Sequence, residues 1–209
     1  MGQYYKPINI DKKQFVYSHD YGNGLKLMEH SYIGNEFVAI VENLIKKNVA
    51  KDGTVLTGDW YGDRIVWAGD YADSEPLNGL TKDKNGKDLP NLYQIIGNYD
   101  NNKIKPKNKQ FNKKFKYLVN LDKKEFVNYD KVPVFDTTEY EGKKIIWQIN
   151  PLPLLTCEGN GRGGGDFQYN DNCGNFDLIG KWSRNRIVLL DKQPEDCTEI
   201  IFDLIEKQY

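Results

Sequence analysis

Tyr5-Lys6-Pro7-Ile8-Asn9-Ile10-Asp11-Lys12-Lys13-Gln14-Phe15-Val16 is met again further along the chain as Lys116-Tyr117-Leu118-Val119-Asn120-Leu121-Asp122-Lys123-Lys124-Glu125-Phe126-Val127. In the first copy Tyr5 to Ile10 is rich in strand formers, Asp11-Lys12-Lys13 is turn-like, and Phe15-Val16-Tyr17 resumes the strand pattern. The Asp-Lys-Lys run is identical in the two copies, and its neighbours change conservatively. A second echo follows in the same order: Gly58-Asp59-Trp60-Tyr61-Gly62-Asp63-Arg64-Ile65-Val66 returns as Gly180-Lys181-Trp182-Ser183-Arg184-Asn185-Arg186-Ile187-Val188. Two echoes in one order, at similar offsets, point to a tandem duplication whose copies pack together. The expected fold is α+β and strand-rich, made of two fused repeats with antiparallel hairpins and one clear amphipathic helix.

The second echo predicts a further hairpin in each half. Thr54 to Trp60 would join Arg64 to Ala68 across Tyr61-Gly62-Asp63, and Asp177 to Trp182 would join Arg186 to Leu190 across Ser183-Arg184-Asn185. Between the hairpins of the first half, Phe37, Val38, Ile40, Val41, Leu44 and Ile45 form a helical stripe. Asn35 suits its N-cap, and Glu36 lies in its first turn. At the corresponding place the second half has Ile145 to Ile149, then Pro151-Leu152-Pro153, then glycines, which predicts no matching helix. A third, weaker echo, Gln94-Ile95-Ile96 against Glu199-Ile200-Ile201, suggests a closing element in both halves. The expected organisation is a first repeat over 1–99, a basic linker over 100–116 and a second repeat over 117–209, packed as one unit. Lys82 to Lys87 reads as an exposed loop.

With 209 residues, 39% of them apolar, the chain can bury a sizeable core. A formal charge of -1 gives no overall attraction to nucleic acid or to an anionic membrane. The stretch Lys103 to Lys116 mixes lysines with Phe111 and Phe115, but a solvated linker explains it equally well. No apolar run has membrane-spanning length, and the opening residues lack the apolar region of a signal peptide. Lys6 occupies the place where a myristoylation signal needs Ser or Thr. Cys157, Cys173 and Cys197 are odd in number and lack metal-ligand spacing, which predicts reduced thiols and a cytoplasmic setting.

Two constellations carry candidate chemistry. Gly159-Asn160-Gly161-Arg162-Gly163-Gly164-Gly165-Asp166 permits positive φ and bares backbone N–H groups that can cradle an anion, with Arg162 as a charged contact. It matches neither a phosphate-loop nor a dinucleotide fingerprint. In the repeated turns, Trp60, Tyr61 and Trp182 are candidate stacking surfaces, and Arg64 and Arg186 candidate anion clamps. The same residues suit a purely structural role that duplicated turns would share.

Asp59, Asp63, Asp70 and Asp73, with Glu29 and His30 upstream, raise the alternative of a metal-dependent hydrolase acting on a phosphorylated substrate, with Asp63, Asp70, His30 or Glu158 as acid or base. Cys157 is a nucleophile candidate beside the glycines, against the simpler reading of a small buried residue.

The opening Met1-Gly2-Gln3-Tyr4-Tyr5-Lys6, the Trp60 to Ile65 run and the Gly159 to Asp166 run together resemble a family of bacterial and phage proteins that share this opening. That resemblance brings no activity with it, though a phage setting suits defence or counter-defence. The leading expectation is a small anionic ligand, such as a nucleotide, bound by Trp60, Tyr61, Arg64, Asn160, Arg162, Gly163, Gly164, Asp166, Trp182 and Arg186 in a cleft between repeats. No cofactor and no resident metal are expected. A protein-partner or homo-oligomer role is the remaining alternative.

Overall fold

The structure is a computed structural model, and it describes residues 3–49, 55–107, 115–134, 136–160 and 176–204. The first half runs β1 (Tyr5–Asn9), β2 (Gln14–Val16), α1 (Leu27–His30), α2 (Glu36–Ile45), β3 (Lys47–Val49), β4 (Val55–Thr57), β5 (Ile65–Gly69), α3 (Leu92–Ile95) and β6 (Lys103–Ile104). The second runs β7 (Tyr117–Asn120), β8 (Glu125–Asn128), β9 (Asp136–Tyr140), β10 (Lys143–Trp147), α4 (Pro151–Thr156), β11 (Cys157–Glu158), β12 (Ile187–Leu190) and β13 (Thr198–Glu199). The fold is mixed α+β, with strands dominating.

The quoted stretches form the expected hairpins. In β1 and β2 Ile8 faces Phe15, and in β7 and β8 Val119 faces Phe126. Both turns are tied the same way: Asn9 Oδ1 accepts the Lys12 N–H at 2.9 Å, and Asn120 Oδ1 accepts those of Asp122 and Lys123 at 2.9 and 3.0 Å. Lys13 and Lys124 each close the turn with positive φ.

The second hairpins do not form. β5 leaves its turn to pair antiparallel with β1, and β12 does the same with β7, while β4 pairs with β3. The reason lies in burial. Every residue of β5 is buried, and such a strand is satisfied only inside a sheet.

Two larger sheets result, in the orders β11-β5-β1-β2-β6 and β12-β7-β8-β13, beside the two-stranded pairs β3-β4 and β9-β10. The closing strands, β6 on β2 and β13 on β8, are both parallel additions. The closing strand of the first half is therefore Lys103–Ile104, inside the stretch expected as linker, and not the Gln94 segment of the third echo. Gln94 lies in α3, where Asn91 and Gln94 form a reciprocal capping box.

The expected helix is present as α2, capped by Asn35 Oδ1, which accepts the N–H groups of Phe37 and Val38 at 2.9 and 3.2 Å. The expectation of no counterpart is corrected. α4 starts from the cap Asn150 with Pro151 in its first turn, where proline's missing N–H costs nothing. Both helices end the same way: Leu44 O accepts the Trp60 N–H at 2.9 Å, and Leu155 O accepts that of Trp182 at 2.7 Å.

After its helix, each half reaches across to the other. Cys157 pairs in parallel with Trp67 of β5, and Lys46 makes a parallel bridge to Leu189 of β12. The two turns also meet: Ile65 N–H donates to Asn185 O, and Ile187 N–H donates to Asp63 O. One core cluster spans both halves, with α2, α4, Trp60, Trp67 and Trp182 buried within it. Each sheet's other face is covered separately, the first by Leu92 and Ile96 around α3, the second by Tyr61, Tyr117 and Leu121.

Candidate functional site

Where β5 ends, the chain turns through Asp70 and enters an exposed loop that returns at Asn91. Beside it lies a groove of about 800 Å³, lined by Asp70, Tyr71, Asp73, Ser74, Thr81, Lys87, Asp88, Asn91, Gln94 and Asn160. Its floor is well braced. Asn91 Nδ2 donates to the carbonyls of Asp70 and Ala72, both at 3.0 Å, and Asp70 Oδ1 accepts the Tyr4 N–H at 3.0 Å.

Arg184, which sequence reading treated only as a turn residue, holds two borders of this groove. Its Nε and Nη2 donate to Glu158 at 2.7 and 2.6 Å. Its Nη1 and Nη2 donate to Glu75, the first at 2.9 Å. Glu75 lies between Ser74 and Pro76, which line the groove, and Glu158, only 2% exposed, comes two residues before Asn160. The paired carboxylates hold the Arg184 guanidinium above its ordinary range despite partial burial. Arg184 also has φ +64°, where the first half has Gly62 at +76°. That aligned difference in the second echo was the available signal.

Of the sequence-derived candidates, Asn160 lines the groove and is exposed. Arg162, Gly163, Gly164 and Asp166 lie outside the described residues, as does Cys173. Trp60 and Trp182 are fully buried and offer no open ring face; their Nε1 groups donate to Gln14 Oε1 at 2.9 Å and Glu125 Oε2 at 2.7 Å. Arg64 donates through N and Nε to Asp11 at 2.8 and 2.7 Å, and Arg186 does so to Asp122 at 2.7 and 2.6 Å. These pairs fasten turns to hairpins. Tyr61 packs on the outer face of the second sheet.

The residues of the hydrolase alternative do not converge. Asp63, bonded by Asn9 Nδ2 at 2.7 Å and paired with Lys12, sits at the opposite end of β5 from Asp70, roughly 20 Å away at the rise of a strand. His30 is buried and neutral. Its Nε2 accepts the Trp67 indole N–H at 3.0 Å, and burial lowers its pKa to about 4. Among the described residues no group of three His, Cys, Asp or Glu is placed to hold a metal ion. Cys157 is buried, donates to Leu154 O, and has its thiol pushed up to about 12 by desolvation, which leaves it un-ionised at neutral pH. No helix of the described chain is long and apolar enough to cross a membrane.

No family model, curated protein or solved structure matches the chain.

Proposed function

We propose that this is a small-ligand binding protein, that its ligand is a nucleotide, and that the groove beside Asp70 and Asn160 is its site. The observation that carries this reading is the position of the groove: the chain runs from its wall at Asn160 directly into Gly161-Arg162-Gly163-Gly164-Gly165. The described wall holds Asp70 and Asp73, with Lys87 and an Asp88 paired to Lys82 at 2.8 Å, so it offers carboxylate acceptors that suit hydroxyl and amine donors. A ribose and base fit that wall, with Tyr71 as the exposed ring, and a phosphate is the group that Arg162 and the glycines suit by their chemistry. The matched hairpins, turns and helix ends support an origin by tandem duplication. Cys157 and Cys197, both free thiols, fit a cytoplasmic protein.

A thermal-shift comparison of adenosine, ATP and inorganic phosphate tests the reading. ATP raises the melting temperature by several degrees at saturation, adenosine raises it less, and phosphate alone does least. Asp73→Asn with Tyr71→Ala removes the effect. The reading fails if purine and pyrimidine nucleotides all leave the melting temperature unchanged, or if the shift survives both substitutions.

A further inference from the structure

Lys6 is the second residue of β1 and is only 7% exposed. Its Nζ lies 4.1 Å from the ring centroid of Tyr93, 5.1 Å from that of Phe15 and 5.5 Å from that of Tyr17. It donates to Gly97 O at 2.5 Å and to Asn98 Oδ1 at 3.3 Å. No carboxylate among the described residues comes within ion-pair distance of it. Lys6, Phe15 and Tyr17, with Asn98, Asp100 and Lys103, line a cavity of about 290 Å³, separate from the Asp70 groove.

The fold does not require an amine here. β7 has Tyr117 where β1 has Lys6: Lys6 faces Ala68 of β5, and Tyr117 faces Leu190, the corresponding residue of β12. The Tyr117 ring packs on Phe126 at 5.9 Å, as the Lys6 ammonium lies over Phe15. One half thus fills the position with a ring at no electrostatic cost, while the other desolvates a cation. Room is made for it. A Cβ on Gly97 would come within 2.9 Å of Lys6 Cδ and 2.7 Å of Tyr93 O, so glycine is what lets the lysine stem pass.

We propose that Lys6 is a reactive amine, set between aromatic rings at the wall of this cavity, that captures a small aldehyde bearing an anionic group as an imine, with Lys103 facing the anion. The Nζ lone pair adds to the carbonyl carbon; the carbinolamine then loses its oxygen as water, leaving C=N. Carbonyl and amine give imine and water, so no oxidant or reductant is involved. Asp100 lines the same cavity and is the group positioned to move the proton. The protonated imine keeps a positive charge over the rings that now face the ammonium. Desolvation lowers the Lys6 pKa to about 8; Asp100 and Asp70 oppose this, Lys103 assists it, and Tyr17 and Tyr93 present ring faces.

Glyoxylate with borohydride trapping at pH 8, followed by peptide mass spectrometry, tests this on the intact protein. An amine with this pKa is about half free base there, against under about 1% for an ordinary lysine. Lys6 should therefore carry the carboxymethyl adduct at least about tenfold faster than exposed Lys84 and Lys144. Labelling of Lys6 no faster than of those two overturns the proposal. Lys103→Gln should slow Lys6 labelling by both reagents, glyoxylate and acetaldehyde, because its charge helps to lower the Lys6 pKa, but slow glyoxylate clearly more than acetaldehyde; equal effects on both reagents, or none, overturn the anion-facing role. Lys6→Met should abolish the fast site with an unchanged circular dichroism spectrum. Should that variant fail to fold, the wild-type labelling ratio decides alone.

Discussion

The turn at Gly62 and the turn at Arg184 stand at matching places, follow buried tryptophans held alike, and lead into strands paired alike, yet one uses glycine at positive φ and the other arginine. A side chain in the left-handed region costs roughly 1 kcal/mol or more, and the first half avoids that cost. The second half accepts it and gains a guanidinium that joins Glu158 to Glu75 beside the groove. The framework is shared, and the difference falls beside the Asp70 groove.

The largest effect expected from breaking this comparison comes from Arg184→Gly. Strain is relieved, but the bonds to Glu158 and Glu75 are lost, and leaving the buried Glu158 carboxylate without its partly buried cation outweighs the relief by about 2 kcal/mol. Urea denaturation measures it, and a neutral or stabilising result would show that the cluster merely offsets its own strain. Gly62→Ala should cost about 1 kcal/mol.

Next come two buried titratable groups of opposite sign. His30 has its pKa lowered by burial from 6.5 to about 4, so stability is lost as pH falls through that window, by up to about 3 kcal/mol. Glu42, on α2, accepts from Asn150 Nδ2 at 2.7 Å and from the Tyr129 hydroxyl at 3.1 Å, and burial raises its pKa from 4.5 to about 6. Its folded form keeps the proton longer, so stability is gained as pH falls from 6 to 4.5, by up to about 2 kcal/mol. The wild type should therefore lose only the difference. Glu42→Gln should steepen the acid loss while stabilising the protein above pH 6, and His30→Gln should remove it. Denaturation midpoints across pH 4 to 8 give the slopes, and parallel slopes in all three proteins would refute the assignment.

The smallest effects fall on the matched pairs Arg64–Asp11 and Arg186–Asp122. Both arginine side chains are about half exposed, so Arg64→Ala and Arg186→Ala should each cost under about 1 kcal/mol, and nearly the same amount. A clearly larger loss in either would mark that pair as more than a fastening.

Local signals were the ones legible from sequence. α2 announces itself through Asn35 and its stripe, and the Asp-Lys-Lys turns through their flanking strands. The pairing of β5 with β1 was hidden because Ile65 to Gly69 is buried at every position and carries no alternation to mark a hairpin. α4 was hidden behind two prolines, although Asn150 followed by Pro151 is itself a helix-start signal. The Arg184 cluster joins residues far apart in the chain, which spacing does not reveal. Lys6 read as an ordinary strand residue, since its rings and Gly97 come together only in the fold.

The exchange of segments after α2 and α4 also governs how the chain can assemble. β5 waits for Cys157 and Lys46 waits for β12, so neither sheet is complete until most of the chain has been made. Until then the Trp67 edge is an open template, and the strand that satisfies it can come from another copy as readily as from its own chain. Folding at high protein concentration should thus compete with reciprocal exchange between two molecules, and dilution should favour the monomer.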